Sequence, residues 1–303
     1  MRTPLRGILA ATFTPFDASG QLELSLVAPY VERLLSEGVD GLYVCGSTGE
    51  GLSLSSAERR ETAQAFVEAA AGRCPVLVQV GHNSLREAAA LAAHAAEIGA
   101  DGVSMNAPSY FKPPHVRALA DCVAEVAQAA PALPMVYYHI PALTGVELDP
   151  VAALGAMRAG VPSLSGVKFT TPRVQDLMAL LEVAGDEIDV LWGVDEMLLA
   201  GWSAGARACV GSTYNLALPL YRRLLRALEA GELEQARIEQ ARSCALVRAL
   251  LAHGGNAAIK TGMALSGMDL GSVRLPQVAP DAETRASLAA ELERIGFASW
   301  GRA

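Results

Sequence analysis

Only three of the 24 basic residues in this 303-residue chain are lysines: Lys112, Lys168 and Lys260. Lys168 ends an apolar run in Gly166-Val167-Lys168-Phe169-Thr170-Thr171-Pro172. At such a position an amine offers what a guanidinium cannot. Arginine stays protonated, whereas a lysine that sheds its proton can attack a ketone and form an imine. A free lysine has a pKa of about 10.4, and a nucleophilic one is tuned to about 7–8. The gap is roughly 3–5 kcal/mol of differential environment. Desolvation in a folded mouth supplies it. Imine chemistry also needs a proton relay, and Tyr137-Tyr138 closes the preceding apolar run. Adjacent strands lie about 4.8 Å apart, so a phenol and an amine ending neighbouring strands meet over one ligand. Alternation sends the two tyrosines to opposite faces; which one faces inward is left open by the pattern.

Other polar clusters follow other apolar runs. Gly46-Ser47-Thr48-Gly49-Glu50-Gly51 lacks the GK[ST] of a P-loop and the spacing of a dinucleotide loop. It reads either as a tight turn or as a nest of N–H groups and two hydroxyls suited to a carboxylate. Pro108-Ser109-Tyr110 and His139-Ile140-Pro141 follow two later runs. Gly193 precedes Asp195-Glu196, a pair that suits either a helix N-terminus or sugar hydroxyls. Gly211-Ser212-Thr213 follows the last run. His94 and Glu97 fall on the solvated face of a helix, and no clustered His, Asp and Glu set suggests a metal.

These clusters must be positioned by a repeating frame. Strands are predicted at 7–13, 41–45, 75–80, 101–105, 134–138, 164–168, 188–192 and 207–210. Helices are predicted between them, including 55–71, 84–98, 113–130 and 173–184. Ser55-Ser56-Ala57-Glu58 fits a capping box. Asp149-Pro150 and Thr171-Pro172 each place a capping residue before a first-turn proline. "GVDGLYV" at 38–44, "GADGVSM" at 99–105 and, more loosely, "GARACVG" at 205–211 repeat a helix-ending glycine followed by a strand. The expected fold is an α/β (β/α)8 TIM barrel over 1–230, with a helical C-terminal extension of the same domain over 231–303. A doubly wound sheet would carry a glycine-rich nucleotide loop after its first strand, and "TPFDASG" stands there instead. In a barrel, residues after the strands converge on one face, where chemistry sits.

Composition narrows the partners. A net charge of −8 argues against nucleic acid and anionic membranes as partners. Five cysteines with no CxxC spacing read as free thiols of a reducing cytoplasm. "MRTPLRGILAATFTPF" has no signal-peptide pattern, and no apolar run is long enough to span a bilayer.

Taken together, "TPFD" at 14–17, "GSTGEG" at 46–51, "YYHIPALTG" at 137–145, "GVKF" at 166–169, "WGVDE" at 192–196 and "GSTYN" at 211–215 resemble the pyruvate-dependent class I aldolases. These form the dihydrodipicolinate synthase and N-acetylneuraminate lyase superfamily. "GEGLSLS", "AAEIGADG", "APALP" and "YHIPALTGV" place the resemblance nearest its lyase branch. The resemblance implies a homotetramer without metal or external cofactor, acting through a covalent imine on Lys168. It implies Tyr138 as the proton-relaying phenol, and Ser47 and Thr48 as holders of the pyruvate carboxylate, with Thr48 also touching Tyr138. It places Tyr110 near a subunit boundary, and Thr170, Gly193, Asp195, Glu196, Gly211 and Ser212 along the sugar chain. The implied reaction is reversible cleavage of N-acetylneuraminate to N-acetylmannosamine and pyruvate. Rival readings are an aldolase or dehydratase for another 2-keto-3-deoxy sugar acid, or a silent sugar-acid-binding barrel. Dihydrodipicolinate synthases carry an arginine where this chain has Leu143, which argues against that activity. His139 and Ser109 depart from residues common in relatives.

Overall fold

The computed structural model describes residues 4–301. Eight parallel strands close into a barrel in sequence order. They are β1 (Gly7–Ala11), β2 (Gly41–Val44), β3 (Val76–Gln79), β4 (Gly102–Asn106), β5 (Met135–His139), β6 (Leu164–Phe169), β7 (Asp189–Trp192) and β8 (Ala208–Gly211). Each expected strand is present, trimmed or shifted at its ends. The closing seam pairs Gly7 with Ala208 and Ala10 with Gly211.

Alternation divides the apolar residues into two cores. Leu9, Tyr43, Leu77, Val136, Leu191 and Val210 fill the barrel interior. Their chain neighbours, such as Ile8, Leu42 and Val190, pack outward against the helices. Strands buried on both faces explain the unbroken apolar runs that reveal them in sequence.

The helix starts follow local chemistry. Ser55 caps Ser56–Ala70, and its partner Glu58 completes the capping box. Asp149 accepts from the Val151 amide ahead of Pro150–Gly160. The expected start at Thr171-Pro172 is corrected. The helix begins at Val174 with Arg173 as its cap residue. Thr171 Oγ1 instead accepts from the Arg173 amide at 3.3 Å. The hydroxyl stabilises a turn, so Thr171 and Pro172 remain at the barrel mouth.

Among the described residues, the regular elements after β8 and helix Tyr214–Glu229 are all helices: Leu233–Ala252, Asn256–Leu265, Ala282–Arg294 and Phe297–Trp300. The irregular segment between the second and third of these returns to the barrel mouth. There Leu270 accepts from the Phe16 amide at 3.0 Å. Among the described residues, no helix is long and apolar enough to cross a membrane.

Candidate active site

A cavity of about 730 Å³ opens at the C-terminal ends of the strands. Its wall includes Ser47, Thr48, Tyr138, Lys168, Thr170, Gly193, Asp195, Glu196, Gly211 and Ser212. All ten are expected site residues. Tyr110 is the exception. It is 78% exposed and stacks edge-on with the equally open Phe111, outside the cavity of its own chain. Its loop is pinned outward by Asn83, whose side-chain oxygen accepts from the Ser109 and Tyr110 amides. Thus Tyr110 is not part of the site that one chain builds.

Lys168 and Tyr138 are direct partners across β5 and β6. Tyr138 belongs to the inner core and Tyr137 to the outer one, which decides the open question of orientation. The Lys168 Nζ lies 3.9 Å from the centre of the Tyr43 ring and 4.0 Å from that of Tyr138. It is held between two aromatic faces. Burial draws its pKa from 10.5 down to about 7, and the negative charge of Asp195 opposes that shift. A half-neutral amine near pH 7 is what attack on a ketone requires.

Burial pushes the Tyr138 phenol up to about 12. The Ser47 and Thr170 hydroxyls face it and pull the other way. The hydroxyls beside the phenol are thus those of Ser47 and Thr170. Neighbouring hydroxyls suit a phenol that gives and takes a proton. Thr170 Oγ1 is itself buried with no hydrogen bond of good geometry.

Asp195 lies in a short 3-10 turn after β7. Its Oδ2 accepts from the Thr213 amide at 2.9 Å and the Thr213 hydroxyl at 2.6 Å. Its Oδ1 is buried and makes no hydrogen bond of good geometry, and the Tyr214 hydroxyl also faces the carboxylate. Burial raises its pKa, and the Thr213 bonds and Lys168 charge hold it down. Burial likewise raises Glu196. Two glycines make room for these groups. A Cβ on Gly211 would lie 1.7 Å from Asp195 Oδ1, and one on Gly193 would lie 2.0 Å from Thr170 Oγ1.

The C-terminal extension holds both sides of this mouth. Ser243 Oγ and Cys244 Sγ donate to the carbonyls of Asp195 and Glu196. Asn256 Nδ2 donates to Thr48 O at 3.2 Å. Asn256 and Gln277 also line the cavity. Neither stands near a strand end in sequence, so strand-end reasoning misses them. Gln79 and Asn106, ending β3 and β4, are missed as well. Their signal was a polar residue closing an apolar run. Gln79 accepts from the buried Arg59 at 2.8 Å and donates to Asn106 Oδ1.

The dihydrodipicolinate synthetase family model matches residues 4–295. The chain belongs to this family. Among curated members, the N-acetylneuraminate lyase of Rattus norvegicus is 38% identical over 301 residues, spanning 98% of this chain and 94% of that protein. The N-acetylneuraminate lyase of Gallus gallus is 39% identical over 299 residues, 97% of each chain. The solved N-acetylneuraminate lyase of Proteus mirabilis superposes with a TM-score of 0.94 at 34% identity, covering 97% of this chain and all of that one (100%).

The two departures from common family residues differ in weight. His139 stacks on Phe169, 5.4 Å between ring centres, and lies outside the site cavity. Burial lowers its pKa to about 4, so it is neutral at pH 7. Ser109 does line the cavity, as does Leu143. Among the described residues, no group of three or more His, Cys, Asp or Glu is placed to hold a metal.

Proposed function

We propose that the protein is a class I aldolase that reversibly cleaves N-acetylneuraminate to N-acetylmannosamine and pyruvate. One observation carries the reading. The Lys168 amine is buried, held in register beside Tyr138 and shifted toward its neutral form. The family relatives supply the substrate class.

In this reading Lys168 Nζ attacks the C2 ketone of the open-chain sugar acid, and loss of water leaves an imine. Its protonated form draws the electrons of the C3–C4 bond as that bond breaks. Tyr138, a neutral phenol, relays the C4 hydroxyl proton: it takes that proton as it passes its own to the substrate carboxylate close by, with the Ser47 hydroxyl beside it. The enamine is protonated at C3, and hydrolysis returns pyruvate and the free amine. Ser47 and Thr48 hold the carboxylate in the turn after β2. Thr170 Oγ1 and Asp195 Oδ1, both buried and neither in a hydrogen bond of good geometry, offer hydrogen bonds to the sugar hydroxyls. Leu143 puts an apolar group where a synthase has its arginine, which favours a sugar acid over a charged aldehyde.

The chemistry uses the imine as electron sink and calls for no cofactor. The proposed assembly is a homotetramer, as the family resemblance implies; the open Tyr110–Phe111 pair offers an apolar surface for contact with another copy. The five free cysteines favour a cytoplasmic setting. Borohydride reduction in the presence of pyruvate tests the mechanism by mass. A pyruvate adduct is expected on the wild type and on no residue of Lys168→Ala. An adduct that survives that substitution overturns the assignment. Faster turnover of 2-keto-3-deoxygluconate than of N-acetylneuraminate overturns the substrate.

A further inference from the structure

Two buried charged side chains take no part in the chemistry above: Glu50, on the cavity wall, and Lys260 behind it. Lys260, in helix Asn256–Leu265, is 2% exposed, and Glu50 is 3% exposed. The Lys260 Nζ donates to Thr14 O at 2.8 Å and to Ser272 O at 2.6 Å. It lies 3.8 Å from Glu50 Oε1 and 4.4 Å from the centre of the Phe16 ring. One ammonium thus joins three segments: the loop after β1, the turn after β2, and the returning C-terminal segment. A buried ion pair is a poor way to gain stability, since desolvation opposes its attraction. Its use here calls for a task of geometry.

That geometry is at Glu50. Its backbone is left-handed, with φ 57. A residue other than glycine stays in that region only when its surroundings over-determine it. Glu50 Oε2 accepts from the Arg274 amide at 2.8 Å. Its Oε1 makes no hydrogen bond of good geometry; Lys260 lies 3.8 Å away, and Arg274 adds a second positive charge nearby. The turn is closed on itself, because Gly51 donates to Gly46 O at 3.0 Å. A Cβ on Gly51 would lie 1.8 Å from Cys45 O. The backbone has no slack there, so displacement of Glu50 moves Ser47 and Thr48.

We propose that Lys260, acting through Glu50, is a positioning residue that fixes the Gly46–Gly51 turn in the shape that presents Ser47 and Thr48 to the keto-acid carboxylate. This rests on the reading of that turn as the carboxylate holder. The test is borohydride trapping of Lys168 as a function of ligand concentration, with pyruvate and with pyruvamide, which lacks the carboxylate. Lys260→Met should raise the half-saturating pyruvate concentration roughly 10–100-fold, the cost of a small misplacement. Trapping at saturation should persist, and the pyruvamide curve should hardly move. Glu50→Gln should show the same selectivity. If Lys260→Met does not fold, Glu50→Gln and the double variant, which leaves no unpaired buried charge, carry the comparison. An unchanged pyruvate curve, or equal weakening of both ligands, overturns the proposal and leaves a structural role. Absence of a pyruvate adduct on the wild type overturns the imine reading and this proposal together. A normal wild-type adduct with unaltered variant curves defeats the role of Lys260 alone.

Discussion

Replacing Lys168 by methionine should abolish turnover and make the protein more stable. The side chains have similar length and volume, so no cavity opens and the change removes chiefly the amine. In the unfolded chain that amine has a pKa of 10.5, and in the native protein about 7. Below pH 7 both states are protonated, and the native state bears the full cost of a buried ammonium. Between pH 7 and 10.5 the native state sheds a proton that the unfolded chain keeps, so wild-type stability rises with pH across this window. That shift, net of the opposing Asp195 charge, costs about 5 kcal/mol at pH 6 and about 1 kcal/mol at pH 10. Removing the amine therefore gains about 5 kcal/mol at pH 6. Scaled by an unfolding entropy of about 2.1 cal/mol/K per residue, that is a Tm rise of about 7 °C, falling to about 1 °C at pH 10. Paired thermal scans of wild type and Lys168→Met from pH 6 to 10 measure the difference, and pH effects from other groups cancel. No gain at pH 6, or an equal gain at pH 10, refutes the view that Lys168 is a desolvated and strained amine.

Tyr138→Phe should lower kcat by roughly 10²–10⁴ while leaving the pyruvate adduct trappable, because the phenol relays the proton and the amine forms the imine; single-turnover and trapping assays separate the two. The acid limb of kcat/KM should rise through about pH 7 as Lys168 deprotonates, and a limb centred near 9 or above in a pH–rate profile contradicts the lowered pKa. Gly211→Ala would drive a Cβ to 1.7 Å from Asp195 Oδ1. It should raise KM for the sugar acid at least tenfold, roughly the worth of a lost or displaced hydrogen bond to a charged group, with pyruvate trapping little changed; a normal KM contradicts the placement of Asp195 along the sugar chain.

Legibility followed the range of each interaction. The strands were readable because burial on both faces leaves unbroken apolar runs. Lys168 was readable because only an amine suits its chemistry. Whether Tyr137 or Tyr138 turns inward depends on register, which places Tyr138 opposite Lys168. The start of the helix after β6 was misplaced because Thr171 uses its hydroxyl in a turn before the helix begins. That Ser47 and Thr170 both face the phenol is a detail of turn geometry below the resolution of a motif. Tyr110 carried a family resemblance, yet its loop aims it away from the cavity of its own chain. Asn256, Lys260 and Gln277 were invisible to strand-end reasoning because they meet the mouth from far along the chain. For Lys260 the rarity of lysine was a signal, and its purpose needed the fold.

The stitching of the mouth by the extension also fixes an order of events during synthesis. Thr48 and Glu50 emerge from the ribosome early. Their partners Asn256, Lys260 and Arg274 follow more than 200 residues later, as the Asn256–Thr48 separation of 208 shows. Domains fold as units from the N-terminal end as they are made. All eight strands are thus made before the residues that clamp the turn after β2. On the proposed reading of that turn, full affinity for the keto acid waits until residues 256–274 have been made and packed.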